Sequence, residues 1–144
     1  MKEQDRQIIL IKLREINFSL DLVKKRLPES YNEFKKLDIL IRDGIYKRVE
    51  FIIQNILDIL AIITKYLNKI PSDDLSIIEI LRDANIITDE TANKLRSMKA
   101  FRNFLVHRYG DLFEKLAFDD IKKGLPDIYA ILHELERIIK DIDP

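Results

Sequence analysis

The stretch VEFIIQNILDILAIITKYL, residues 49–67, decides the fold class of this chain. Its apolar residues recur every three or four positions, which is the spacing of one face of an α-helix. Other apolar residues of the stretch fill a second face, namely Phe51, Ile53, Leu57, Leu60 and Ile62. A helix that is apolar on more than one face is buried on several sides. In a chain of 144 residues, this pattern predicts that a second subunit covers part of the helix.

The apolar stripe continues toward the N-terminus, so the sequence predicts one very long second helix, from Glu29 to about Asn68. A first helix precedes it, because apolar residues recur at helical spacing from Ile9 to Leu27. Pro28 comes directly afterwards, and a proline there is expected to end the first helix.

Three more helices are predicted in the second half of the chain, over residues 75–83, 88–109 and 119–141. Gly110 is placed to end the middle one of these, because glycine is the usual residue just past a helix C-terminus. No segment alternates between apolar and polar residues for long enough to indicate a strand. We therefore expect an all-α fold, an up-and-down bundle of about five helices that forms a single domain over residues 1–144.

The composition excludes several classes of function. Lysine and arginine together number 25, as do aspartate and glutamate, so the net charge is zero and no overall field favours nucleic acid or an anionic membrane. The chain has no cysteine, which excludes disulfides, thiolate catalysis and zinc–thiolate sites. Polar residues interrupt the most apolar stretch, which makes it too polar for a membrane-spanning helix: Gln54, Asn55, Asp58 and Thr64. We expect a cytoplasmic protein that does not contact the membrane.

A cluster of polar and ionisable residues stands out in RNFLVHRYG, residues 102–110. On an ideal helix Arg102 and Tyr109 lie about 20° apart, whereas Arg102 and His107 lie about 140° apart. One straight helix therefore does not aim Arg102 and His107 at the same point. The simplest interpretation is structural: Arg102 and Arg108 are solvated cations near a helix C-terminus, where positive charge is favourable, and His107 is a surface histidine.

A functional interpretation of the same cluster is phosphodiester cleavage. Histidine can transfer a proton to or from the oxygens of the reacting ribose and phosphate, and arginine can hold the phosphate and stabilise its developing charge. The sequence lacks a Gly-rich phosphate loop, an H-E-x-x-H motif and a G-x-S-x-G motif. Metal-dependent and serine-dependent hydrolysis are therefore poorly supported, and we expect neither a metal nor a cofactor.

The cluster also fits a known pattern, R-x-x-x-x-H-x-Y with an asparagine directly after the arginine. It resembles the signature of the HEPN superfamily, and in particular of the HepT-type toxins that pair with an MntA-type minimal nucleotidyltransferase. The resemblance covers nearly the whole chain, since the size, the helix order and the stretch VEFIIQNILDIL are also similar to that family.

This resemblance implies the toxin of a toxin–antitoxin pair, a metal-independent endoribonuclease that acts on RNA as a homodimer. His107 would be the general acid/base, Arg102 the phosphate ligand, and Asn103 an orienting or phosphate-binding group. The two motif helices would meet across the dimer interface, so Arg102 and His107 need not converge within one helix. Tyr109 would receive AMP from the cognate nucleotidyltransferase antitoxin, and this modification would switch the enzyme off.

Supporting residues and alternatives remain open at the level of sequence. Gln54 and Asp58, one helical turn apart, either face the same cleft or make a buried polar contact within the dimer. Arg108 is a further supporting candidate, and a basic patch along the fourth helix is expected from Lys94, Arg96, Lys99, Arg102 and Arg108. The alternative function is a non-catalytic helical module that binds a nucleotidyltransferase partner and presents a nucleotide or a tyrosine to it. A purely structural dimeric bundle is a more distant third.

Overall fold

Six helices make up the part of the chain that the structure describes. The structure is a computed structural model; it describes residues 1–106 and 110–144, with the backbone alone at residues 110 and 111. The helices are α1 (Glu3–Arg26), α2 (Tyr31–Phe34), α3 (Ile39–Lys65), α4 (Asp74–Asp83), α5 (Asp89–Val106) and α6 (Gly110–Ile142). Those residues contain no strand, so the predicted all-α fold is confirmed, with six helices in place of about five. None of the described helices is long and apolar enough to cross a membrane.

Helix α3 lies at the centre and packs against α1, α4, α5 and α6. Its side chains Ile52, Ile56, Ile59 and Ile63 are fully buried, as the helical spacing of apolar residues predicts. The second apolar face is also covered within one chain: Ile53, Leu57 and Leu60 are at most 2% exposed, whereas Phe51 is 41% exposed. Within residues 49–67, the argument that a second subunit must cover the helix therefore holds for Phe51 and not for the other side chains of that face that are buried.

Helices α1 and α3 run antiparallel, and polar contacts join the first half of α1 to the second half of α3. Lys65 near the end of α3 donates to Asp5 near the start of α1, at 3.2 Å between Lys65 Nζ and Asp5 Oδ1. Further along, Lys12 pairs with Asp58. Hydrogen bonds lower the pKa of Asp5, the one from the Tyr66 hydroxyl most and the one from Lys65 next, so this carboxylate stays ionised at neutral pH. The alignment places Lys12 beside the polar residues of α3.

The very long second helix is broken into α2 and α3. The side chain of Ser30 caps α2 by accepting from the Glu33 amide, and that of Asp38 caps α3 by accepting from the Leu40 amide. Each cap satisfies a backbone N–H that a helix start leaves without a partner. The predicted helix from Glu29 to Asn68 was therefore too long, because these two capping signals were not recognised.

The last helix is longer than predicted, and α5 is shorter. Helix α5 ends at Val106, and Gly110 opens α6 instead of ending the fourth helix. Helix α6 begins nine residues before Asp119 and continues past Pro126, which lies inside it. A proline in a helix interior costs about 3 kcal/mol or more. Burial of apolar side chains on both sides of Pro126 offsets that cost; these include Phe113, Ala117, Ile121, Ile128, Ile131 and Leu135.

Candidate functional site

Helices α3, α4 and α5 meet at the side chain of Arg102. Its Nη1 donates to Gln54 Oε1 at 2.6 Å, and its Nη2 donates to Asp74 Oδ2 at 3.0 Å. Nη2 also donates to Asn103 Oδ1 at 3.2 Å. The Arg102 side chain is 16% exposed, so these contacts hold it in a defined position at the surface. The structure thus brings together three of the predicted site residues, Arg102, Asn103 and Gln54.

Asp58 is joined to the same group through Gln54. Gln54 Nε2 donates to Asp58 Oδ1 at 2.8 Å, and Lys12 Nζ donates to Asp58 Oδ2 at 2.9 Å. An ionised carboxylate only accepts hydrogen bonds, so the amide nitrogen of Gln54 faces Asp58 and its oxygen faces Arg102. We call Lys12, Asp58, Gln54, Arg102, Asn103 and Asp74 the polar network. Within it, the Lys12–Asp58 pair orients Gln54, and Gln54 orients Arg102.

Asp74 and Lys12 are members of the polar network that the sequence did not predict. Asp74 is the first residue of α4, where the helix dipole favours a carboxylate. The preceding Asp73 already caps the helix, in a reciprocal capping box with Ser76. The available signal was therefore the second aspartate of PSDD: one aspartate is enough to cap α4, which leaves the other to pair with a cation.

Chemically, the polar network presents a guanidinium whose charge is already balanced by a carboxylate. Arginine has more N–H donors than the three contacts of Arg102 use, so a phosphate can still bind to it. The carboxylate of Asp74 would compete with that phosphate for the same charge. Among the described residues there is no group of three or more metal-ligating side chains.

Three predicted site residues, His107, Arg108 and Tyr109, lie outside the described residues, and their roles stay predictions. The helices on either side of them are tied together by aromatic contacts. The rings of Phe104 on α5 and Phe113 on α6 are 4.7 Å apart between centroids. The end of α5 and the start of α6, between which the motif lies in the sequence, are therefore held against each other.

The basic patch predicted along the fourth helix is largely neutralised. Among its described members, Lys94, Arg96 and Arg102 each pair with a carboxylate within 4.0 Å; the partners are Glu90 and Asp127 for Lys94, Glu79 for Arg96 and Asp74 for Arg102. Hydrogen bonding from Arg96 also lowers the pKa of Glu79, which keeps that partner charged. Three of the four described members of the predicted patch therefore have an acidic neighbour one turn away or on another helix; the fourth is Lys99.

Residues 16–135 match the family model described as "Ribonuclease HepT-like". The chain belongs to the HepT-like family. The resemblance found in the sequence motif is thereby confirmed. A relative of this HepT-like chain in Archaeoglobus fulgidus, described as "Putative RNase", is 28% identical over 101 residues, which are 70% of this chain and 76% of the relative.

Solved structures also resemble this HepT-like chain. One is the tri-AMPylated HEPN toxin of Shewanella oneidensis in complex with its MNT antitoxin; the TM-score is 0.78 at 20% identity, covering 95% of this chain and 99% of the toxin. Another is the cytosolic protein of unknown function YutE from Bacillus subtilis; the TM-score is 0.75 at 18% identity, covering 95% of this chain and 92% of YutE. At these identities the likeness establishes the HEPN fold.

Proposed function

We propose that this chain is the toxin of a toxin–antitoxin pair and cleaves RNA in the cytoplasm without a metal ion. The observation that carries this proposal is the position of Arg102. In a chain of the HepT-like family, the polar network holds the guanidinium at the surface where α3, α4 and α5 meet. A guanidinium fixed in this way is suited to bind a phosphodiester through two N–H donors.

The proposed reaction is transesterification within the RNA strand. The ribose 2′-oxygen attacks the adjacent phosphorus as His107 accepts or relays its proton, and the 5′-oxygen of the next nucleotide leaves with a proton. Arg102 binds the non-bridging oxygens and stabilises the charge that develops on them. Asn103 accepts a hydrogen bond from Arg102, which supports an orienting role. The immediate product is a 2′,3′-cyclic phosphate.

We further propose that two copies of the chain form the active species. Three large apolar side chains on α1 and α3, the helices that carry Lys12, Gln54 and Asp58, are exposed: Ile11 and Phe18 are each 56% exposed, and Phe51 is 41% exposed. Ile11 and Phe18 are seven residues apart on one face of α1. Ile11 adjoins Lys12 in sequence, and Phe51 precedes Gln54 by three residues on α3. A second copy that covered this patch would place its own polar network close by.

The proposed control is the transfer of AMP to Tyr109 by a cognate nucleotidyltransferase antitoxin. Supporting this, a toxin of similar fold is tri-AMPylated and bound to an MNT antitoxin in its solved structure. An adenylyl group on Tyr109 would carry a phosphate into the space of the motif, where it would compete with RNA for Arg102.

An RNA cleavage assay tests the proposed function directly. The purified chain should cleave single-stranded RNA in the presence of EDTA, and the products should end in a 2′,3′-cyclic phosphate or its hydrolysis product. A substrate that lacks the 2′-hydroxyl at the cleavage site should remain intact. Cleavage that requires added magnesium, or that proceeds on the 2′-deoxy substrate, would contradict the mechanism.

One observation favours the alternative of a non-catalytic module that serves a nucleotidyltransferase partner. Asp74 already balances the charge of Arg102 at 3.0 Å, so the arginine could be a purely structural cation. The ribonuclease function, unlike this alternative, predicts that removal of this carboxylate charge changes the kinetics of RNA cleavage.

Replacing Asp74 with asparagine should strengthen the binding of RNA. Asparagine keeps an oxygen that accepts from Arg102 but removes the charge that competes with phosphate. Partly exposed ion pairs of this kind are worth roughly 0.2–1 kcal/mol, so we expect the KM for RNA to fall by about 1.4- to 5-fold at unchanged kcat. Steady-state cleavage kinetics measure both constants.

Asp83→Asn provides the matched control, because it makes the same charge change on the same helix at a site 71% exposed. It should leave both constants unchanged. If Asp74→Asn raises KM or lowers kcat, the carboxylate holds Arg102 in place and does not compete with the substrate.

A further inference from the structure

A basic pocket of about 570 Å³ opens where α2, α3 and α6 meet. Four of its lining residues are cations and a single one is a carboxylate; they are Lys35, Lys36, Arg42 and Lys115, against Glu114. Tyr31 and Leu112 complete the lining. We refer to this as the basic pocket. It is separate from the polar network, none of whose members lines it.

The positive charge of the basic pocket is only partly balanced. Arg42 donates to Glu114 at 2.5 Å between Nη1 and Oε2, with both side chains 20% exposed. Lys115 pairs with Asp119 at 3.0 Å, but that pair is 56% and 41% exposed and so contributes little. Within the described part of the chain, neither Lys35 nor Lys36 makes an ion pair with a carboxylate. In a protein of zero net charge, such an excess of cations indicates a site for an anion.

Packed aromatic rings underlie the basic pocket, and its rim is made of long, exposed lysines. The rings of Tyr31 and Phe34 both pack against that of Phe118, with centroid distances of 6.0 Å for Tyr31 and 5.2 Å for Phe34. Phe34 is fully buried, so these rings anchor the short helix α2 on α6. Lys35 and Lys115 lie 6.0 and 5.6 Å from the Tyr31 ring centroid. The cations are thereby presented on a preformed surface, which lowers the entropy lost on binding.

The basic pocket includes residues from the start of α6, and the proposed cleavage motif lies in the sequence between α5 and α6. Leu112, Glu114 and Lys115 all belong to the first turns of α6. The Phe113 ring on α6 contacts two further rings: its centroid lies 5.9 Å from that of Tyr46 on α3 and 4.7 Å from that of Phe104 on α5. An RNA strand that reaches this junction would have its neighbouring phosphates near the lysines of the basic pocket.

We propose that the basic pocket binds backbone phosphates of single-stranded RNA a few nucleotides away from the bond that is cleaved, since Arg42 and the Arg102 contact Gln54 are twelve residues, about 18 Å, apart along α3. This inference rests on the proposed ribonuclease function and adds to it the surface that holds the substrate. Lysines contact phosphates as point charges and read no base sequence. Three lysines and an arginine are four of the seven lining residues, and lysines already lie beside the one aromatic ring. Such a pocket suits the backbone of a polymer better than the base of a free nucleotide.

The test compares two variants that each remove three exposed lysines. The pocket variant is Lys35→Ala/Lys36→Ala/Lys115→Ala; Arg42 is kept because it is bonded to Glu114. The control variant is Lys24→Ala/Lys25→Ala/Lys140→Ala, at exposed positions outside the pocket. Both carry His107→Ala so that RNA stays intact during the measurement. The affinity for a single-stranded RNA oligonucleotide is then measured at several salt concentrations.

The pocket variant should bind RNA on the order of 10- to 100-fold more weakly at about 0.1 M salt, and its salt slope should fall by about two, as expected when three phosphate contacts are lost. The control variant should match the protein that carries His107→Ala alone, both in RNA affinity and in salt slope. The single exchange Lys36→Glu should weaken binding in the same direction, which guards against misfolding of the triple variant.

Each other outcome overturns a specific claim. Equal RNA affinity of the pocket and control variants overturns the basic pocket as an RNA site, while RNA cleavage by the wild type would leave the proposed function intact. Loss of ATP or inorganic phosphate binding without loss of RNA binding also overturns it, in favour of a free nucleotide or phosphate. A wild type that neither binds nor cleaves RNA overturns both proposals.

Discussion

Replacing His107 with alanine is expected to lower the rate of RNA cleavage by at least about 100-fold, the usual effect of losing a general acid/base. Alanine can neither accept the proton of the 2′-hydroxyl nor supply one to the leaving 5′-oxygen. Binding of RNA should change little, because the phosphate contacts assigned to Arg102 and to the basic pocket remain. The measurement is the single-turnover cleavage rate of a labelled RNA.

His133→Ala is the matched control, since His133 is the only other histidine of the chain and is exposed on α6. It should cleave at the wild-type rate. A His107→Ala enzyme that cleaves nearly as fast as the wild type would mean that another group transfers the proton, and the assignment of His107 would fail.

Replacing Tyr109 with phenylalanine is expected to abolish the transfer of AMP to the chain by its nucleotidyltransferase partner. In this reaction the phenol oxygen attacks the α-phosphorus of ATP and pyrophosphate leaves. Phenylalanine keeps the ring but has no oxygen to form the new bond. Intact mass after incubation with the partner, ATP and magnesium should show whole adenylyl groups on the wild type and none on the variant.

Tyr129→Phe serves as the control, because Tyr129 is 46% exposed on α6 and is thus accessible to an enzyme. It should be modified as fully as the wild type. Labelling of the Tyr109 variant to the wild-type extent would show that the acceptor lies elsewhere. In cells, a cleavage-competent Tyr109 variant should also resist rescue by the partner, if modification and not simple binding is the antidote.

The central helix could be predicted from the sequence because its apolar residues recur at helical spacing and therefore form a face that is buried. Every third or fourth residue of the stretch from Val49 to Ile63 is apolar, and the structure buries those side chains. The bounds of the helices were harder to predict. Ser30 and Asp38 each act through a single side-chain hydrogen bond to a nearby amide, and such local signals are easily lost within a longer apolar pattern.

The candidate site was predictable in part. The spacing of Gln54 and Asp58 places them one turn apart on α3, where they hydrogen-bond to each other, and Gln54 connects both to Arg102. Asp74 and Lys12 could not be predicted in the same way. They reach the site from other helices, 28 residues from Arg102 and 46 residues from Asp58 along the chain. Pairing across such separations depends on how the helices pack, which a single sequence does not reveal.

The Asp74–Arg102 pair has a consequence for which anions the protein would retain in a cell. A free phosphate or nucleotide meets an arginine whose charge is already satisfied at 3.0 Å, and it gains little by displacing the carboxylate. A strand held through several phosphates on the basic pocket would present a phosphate further along the strand to Arg102 at a high effective concentration. Avidity, not the strength of any one contact, would then select a polymer over the abundant small metabolites that carry the same chemical group.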